Sequence, residues 1–284
     1  MGKILFPRRE VHHRPGALEM VLGALRVGGV LVLAGIGAIL VLAAVLVPGR
    51  VAGARPAQWL TVAIARTFLA ITGVRLAAPP ARDIRGHHGL VFINHLTYLD
   101  PVIVYARGPV RFLAAAGLRT LPFVGQIAMA VGTVFVNRGS RESRAASRRR
   151  IRETLERTPA PPVTLAPEGQ IGPGGGVLPF RRGAFEVSVE TGLPILPLVL
   201  AYDPFDAVIW HQKELLLIAL WRLTARRGGV RATIIALPVI TPGAAGTEEE
   251  IDAEAARLAA LAEAEFGKAL QRFVDRGTWH VARG

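Results

Sequence analysis

Seven consecutive residues, Asn94-His95-Leu96-Thr97-Tyr98-Leu99-Asp100, hold the side chains of this chain best suited to moving a proton. Histidine gains and loses a proton near neutrality. A carboxylate that accepts its Nδ1–H leaves Nε2 to take a proton from a hydroxyl. On a continuous helix, residues five apart point about 140° away from each other, so His95 and Asp100 cannot share a helical face. They meet if His95 sits in a turn and Asp100 where the next helix begins. Pro101 supports that arrangement, because proline favours the start of a helix. The alternative makes Asp100 a helix cap and His95 a loop histidine.

Several other chemistries are excluded. The four serines, Ser140, Ser143, Ser147 and Ser188, form no G-x-S-x-G elbow, and neither a Walker loop nor an H-E-x-x-H motif occurs. With no cysteine there is no disulfide, thiolate nucleophile or thiolate metal site. A serine hydrolase, a P-loop nucleotidase and a zincin all lack their machinery.

Further blocks follow the histidine segment in order: Gly132-Thr133-Val134-Phe135-Val136-Asn137-Arg138, Pro167-Glu168-Gly169, Leu178-Pro179-Phe180-Arg181-Arg182-Gly183-Ala184-Phe185 and Leu193-Pro194-Ile195-Leu196-Pro197. Together with the H-x-x-x-x-D run they resemble the glycerolipid acyltransferase family, whose best-known members acylate lysophosphatidic acid. The resemblance covers roughly residues 88–202. It implies transfer of a fatty acyl group from a thioester, acyl-CoA or an acidic acyl-carrier protein, to the hydroxyl of a lysophospholipid. His95 would be the general base and Asp100 its orienter, with the nucleophile supplied by the acceptor.

Asn94, Arg138, Glu168, Gly169 and Gln170 are the substrate-binding candidates. Arg138 offers a planar fork for a phosphate. Glu168 could hold Arg138 or accept an acceptor hydroxyl, and Gly169 would let backbone come close. No metal or bound cofactor is implied. The chain also departs from the family pattern. Gln170-Ile171 follow Glu168-Gly169 where threonine and a polar or basic residue are common. Ala115 and Gly117 stand where a lysine and an acidic residue are common, which removes a cation near the site. A different acceptor, such as a lyso-ornithine lipid or a glycolipid, is one alternative. A non-catalytic lipid-binding protein is the other.

The elements that must position these residues alternate. Leu90–Ile93, Val110–Ala114, Thr133–Val136, Val163–Ala166, Ile195–Leu200 and Val230–Leu237 predict strands. Arg141–Arg157, Ala184–Thr191 and Thr247–Arg276 predict helices. This pattern predicts an α/β fold, a mixed sheet covered by helices, over residues 76–284.

Residues 1–75 predict membrane-anchoring helices. Val27–Val47 is 21 residues without a charge, about 31 Å as a helix and enough for a bilayer core. Gln58–Val74, interrupted by Arg66, predicts an interfacial helix. A spanning and a re-entrant anchor place the rest of the chain on opposite faces. The expected location is the membrane, at the cytoplasmic face of the inner (plasma) membrane.

In the 284 residues, 34 Lys and Arg oppose 21 Asp and Glu, a net charge of +13. That balance suits anionic lipid headgroups or an acidic carrier protein. No nucleic-acid-binding module accompanies it. The Arg-rich run from Arg141 to Arg157 is either part of that surface or an ordinary solvated helix face.

Overall fold

The computed structural model describes residues 13–136, 141–158, 160–172, 176–210 and 214–273. Its strands are β1 (Val74–Ala77), β2 (Leu90–Ile93), β3 (Arg111–Ala115), β4 (Val134–Val136), β5 (Val163–Leu165), β6 (Ile195–Asp203) and β7 (Val230–Ala236). They form one seven-stranded sheet in the order β1-β7-β6-β2-β5-β3-β4. The run from β6 to β4 is parallel. β7 runs antiparallel to β6, and β1 pairs parallel to β7, so the sheet is mixed as expected. β2 is central: Leu90 lies level with Ile195 on one side and Val163 on the other, and all four β2 residues are buried. Gly89 lets β2 begin there. Its φ is +149°, and a Cβ would stand 2.4 Å from the Pro194 carbonyl.

The helices are α1 (Ala17–Val45), α2 (Pro56–Thr72), α3 (Ala81–Arg85), α4 (Asp100–Tyr105), α5 (Val124–Ala130), α6 (Arg141–Arg157), α7 (Gly183–Thr191), α8 (Leu216–Thr224) and α9 (Glu248–Phe273). α1 packs on α2, α5 and α8, and α2 on α4; α7 packs on α6 and α9. These two groups match the handedness of the parallel crossovers. From β2 the chain moves through α4 toward the β4 edge, and from β5 it returns through α7 to β6. Right-handed connections in opposite directions put α4 and α7 on opposite faces. The connections leaving the carboxyl ends of adjacent strands β2 and β5 therefore head to opposite faces of the sheet. Such a switch point opens a crevice in open α/β sheets. Phe185 of α7 seals the core beneath it, edge-on to Phe92 at 4.9 Å.

The N-terminal elements differ in detail from expectation. Instead of starting at Val27, the apolar helix starts at Ala17, because residues 17–26 are mostly good helix formers with no proline, and the single glycine, Gly23, does not stop it. At 29 residues it is long and apolar enough to cross a membrane. Arg26, directly before the apolar run Val27–Val47, lies inside the helix and donates to the carbonyls of Thr224 and Arg226 at 2.9 and 2.8 Å. Gly23 faces Trp221 and Ala225, and Gly37 faces Ile64, where a Cβ would come within 2.9 Å. The other flank exposes Leu25, Leu31, Val32, Ile36 and Ile39.

α2 buries Ala57, Val62, Ala65 and Leu69 and ends at Gly73, left-handed with φ +76°. β1 then begins at Val74, across the boundary expected at residues 75/76. α9 opens with a reciprocal cap: Thr247 Oγ1 accepts the Glu250 N–H, and the Glu250 carboxylate accepts that of Thr247. α6 matches its expected bounds. Arg148 and Arg152 pair with Glu186 and Glu190 of α7 at 3.0 and 3.3 Å, so part of the basic run fastens one helix to another.

Candidate active site

The chain leaves the carboxyl end of β2, turns through residues 94–99 and enters α4 at Asp100. That turn brings His95 Nδ1 to 2.7 Å from Asp100 Oδ2. The carboxylate assigns the ring proton to Nδ1 and leaves Nε2 as the basic nitrogen. Nε2 has no partner among the described residues, and the His95 side chain is 27% exposed, whereas Asp100 is wholly buried.

Asp100 does more than orient the histidine. Its Oδ2 also accepts the N–H groups of Leu96 and Thr97 at 2.8 and 3.0 Å, closing the loop on itself. Its Oδ1 accepts the Tyr202 hydroxyl at 2.6 Å. Burial, and then the neighbouring Asp100 charge, push the Tyr202 pKa well above its ordinary value, so the phenol stays a donor. The loop is fixed from outside as well. Leu96 and Leu99 are buried, and the Thr97 and Tyr98 hydroxyls donate to the carbonyls of Val208 and Ala219.

The His95 backbone is held too. Its N–H donates to Glu168 Oε1 at 3.0 Å, and its carbonyl accepts the Gly172 N–H at 2.7 Å. Glu168 Oε2 accepts the Leu178 N–H at 3.1 Å. Glu168, just past the end of β5, therefore ties the histidine to the chain entering α7. Burial pushes its pKa up to about 7, against the opposing pull of those two N–H groups. Space is tight around it: a Cβ on Gly172 would stand 2.9 Å from Glu168 Oε2. Gly169, at φ +72°, has Arg181 lying over it, with Nε 2.7 Å from where a Cβ would be.

The structure brings His95, Asp100, Glu168 and Gly169 together. Gln170 is exposed on the same turn. Asn94 requires a correction. It is wholly buried, and both ends of its amide serve Leu200: Nδ2 donates to the Leu200 carbonyl at 2.9 Å and Oδ1 accepts its N–H at 2.7 Å. It bolts β2 to β6 where the two strands run on, and turns no polar atom toward the opening. Arg138 lies outside the described residues. Ala115 and Gly117 are exposed at and just past the end of β3. Tyr202 and Gly172 were not among the expected site residues. A hydroxyl at the polar end of the apolar strand Ile195–Asp203 was the available signal for the first. Among the described residues, no three His, Asp or Glu side chains converge as metal ligands.

Residues 77–201 match the family model described as Acyltransferase. The chain is 34% identical over 113 residues to a 1-acyl-sn-glycerol-3-phosphate acyltransferase of Neisseria gonorrhoeae, a match covering 40% of this chain and 44% of that protein. It is 30% identical over 109 residues to a lyso-ornithine lipid O-acyltransferase of Pseudomonas aeruginosa, covering 38% and 41%. In both cases the chain matches less than half the length of its relative. The crystal structure of a 1-acyl-sn-glycerophosphate acyltransferase, PlsC, from Thermotoga maritima superposes with a TM-score of 0.63, covering 90% of this chain and 96% of that one. At 18% identity that likeness establishes the fold.

Proposed function

We propose that the chain, whose residues 77–201 match the Acyltransferase family model, is a glycerolipid acyltransferase that moves a fatty acyl group from a thioester to the hydroxyl of a lysophospholipid such as lysophosphatidic acid. The observation that carries this reading is the 2.7 Å contact of His95 with a buried Asp100, with Nε2 unpartnered among the described residues on the exposed side. Nε2 removes the proton of the acceptor hydroxyl as its oxygen attacks the thioester carbonyl. The tetrahedral intermediate collapses and breaks the carbon–sulfur bond. The leaving thiolate takes the proton back from the imidazolium, giving ester and free thiol. Asp100 steadies the transient imidazolium and stays a carboxylate throughout.

The donor in this reading is acyl-CoA or acyl-carrier protein. α1, with its exposed apolar flank, anchors the chain in the membrane and presents the crevice to lipid acceptors on the cytoplasmic face. The test is thiol release from acyl-CoA by the purified full chain, with a panel of lysophosphatidic acid, lyso-ornithine lipid and a glycolipid, and the ester identified by mass. Acceptor-dependent thiol release that disappears in His95→Ala is the expected result. Release that ignores every acceptor, or that survives His95→Ala, overturns the reading.

A further inference from the structure

An anionic acceptor brought to His95 approaches two carboxylates, Asp100 and Glu168, and needs a cation to offset them. Among the described residues, the side chains that end β3 and directly follow Gly169, namely Ala115, Gln170 and Ile171, carry no charge. Arg181 reaches this turn from another part of the chain. Its backbone N–H donates to the Pro167 carbonyl at 2.9 Å, one residue before Glu168. Phe180 before it is buried against Phe185 and Phe266. The base of the side chain is therefore fixed.

The guanidinium then lies across Gly169. A Cβ there would stand 2.7 Å from Nε, 2.9 Å from Cζ and 3.0 Å from Cδ, so glycine is what allows the arginine to lie so low over the turn. Arg182 beside it is engaged, 3.2 Å from Asp252, and Arg148 faces Glu186. No carboxylate faces Arg181 among the described residues, and its side chain is exposed.

We propose that Arg181, laid across Gly169 beside the Glu168–His95 contact, grips the phosphate monoester of the acceptor lipid. This rests on the acyl-transfer reading above and adds the group that selects the headgroup. A guanidinium can present two N–H donors at once to two phosphate oxygens, a geometry that an ammonium cannot copy. An arginine at 181 can thus supply the charge that Ala115 and Ile171 do not.

The experiment compares full-length wild type with Arg181→Ala, Arg181→Gln, Arg181→Lys and Gly169→Ala. The acceptors are lysophosphatidic acid and a monoacylglycerol, which keeps the hydroxyl and loses the phosphate. One charge-assisted contact corresponds to about a ten- to hundredfold rise in KM for lysophosphatidic acid in Arg181→Ala and Arg181→Gln. KM for acyl-CoA and the rate with monoacylglycerol should hold within about twofold. Arg181→Lys should recover part of the loss. Gly169→Ala, which pushes the arginine off its seat, should move KM the same way. Arg182→Ala is the control and should leave both acceptors alike.

An unchanged KM for lysophosphatidic acid in an active, folded Arg181→Gln protein overturns the assignment. So does a rise confined to KM for acyl-CoA, which would give the cation to the donor's phosphates. Equal loss on both acceptors with a lowered melting temperature would make Arg181 structural. A wild type inert toward every lysolipid overturns acyl transfer itself, whereas an active wild type with indifferent Arg181 variants overturns only this assignment.

Discussion

The hydroxyl of Tyr202 stands 2.6 Å from Asp100 Oδ1, on the carboxylate oxygen that does not face His95. The two residues lie 102 positions apart, and both are fully buried. With the His95 ring and the N–H groups of Leu96 and Thr97, the tyrosine completes a set of four donors around one carboxylate. A buried carboxylate held this way cannot rotate without leaving a donor unpaired.

Tyr202→Phe should therefore cost about 1.5–3 kcal/mol of stability, the range for a hydrogen bond to a charged group. Acyl transfer should fall about tenfold and survive, because the His95–Asp100 contact remains. Urea unfolding and kcat at saturating substrates measure the two effects. Unchanged stability would mean that the phenol contributes no anchoring.

Replacing Asp100 separates charge from architecture. Asparagine can keep its oxygen toward His95, Leu96 and Thr97 and turn its NH₂ toward the Tyr202 oxygen, which can accept. Asp100→Asn should then stay folded while acyl transfer drops about 10²–10⁴-fold. Asp100→Ala should lose activity and also unfold more easily, since it orphans two buried N–H groups. Comparable activity in Asp100→Asn and wild type would reduce Asp100 to a loop-closing residue.

The pH dependence of stability should carry the mark of Glu168. Its folded pKa near 7 lies above the roughly 4.3 of an unfolded glutamate, so between those values the folded chain holds a proton that the unfolded chain has released. Stability conferred by that proton falls as pH rises through the window and levels off above it. Melting temperatures from pH 5 to pH 8 should therefore decline more steeply in wild type than in Glu168→Gln. Parallel curves would place the folded pKa in the ordinary carboxylate range.

Asn94→Ala removes the bolt between β2 and β6 and leaves the Leu200 N–H and carbonyl buried without partners. A loss of about 2–4 kcal/mol is expected, with KM for the acceptor unchanged. A raised KM in a protein of normal stability would instead return Asn94 to the substrate-facing role suggested by its position beside His95.

Legibility in the sequence followed the range of the interaction. His95 and Asp100 are five residues apart, and turn-then-helix was the one local geometry that let them meet, with Pro101 marking the helix start. Glu168 was visible as a residue, but its function was not: it grips backbone N–H groups of His95 and Leu178, and a backbone donor carries no side-chain signature. Tyr202 sits near the end of a strand whose burial alone explains an aromatic, so only the assembled sheet reveals its partner. For Asn94, adjacency to a histidine says nothing of which way an amide turns when the next strand passes beside it. The short strand β1 has no counterpart among the expected strands, and its first residue, Val74, falls in the expected Gln58–Val74 helix, since the break is a single left-handed glycine, Gly73.

The loop from Asn94 to Asp100 lies early in the chain, but nearly every group that holds it comes later: Glu168, Gly172, Leu200, Tyr202, Val208 and Ala219. During synthesis α1 leaves the ribosome while these supports are still untranslated. The histidine then has its acidic partner in sequence but not the scaffold that fixes the pair. A nascent or prematurely terminated chain that stops short of β6 thus lacks Leu200 and Tyr202 and leaves His95 and Asp100 without those supports. The loop is held in full only when the far side of the sheet is in place, so its geometry depends on the last strands to be made.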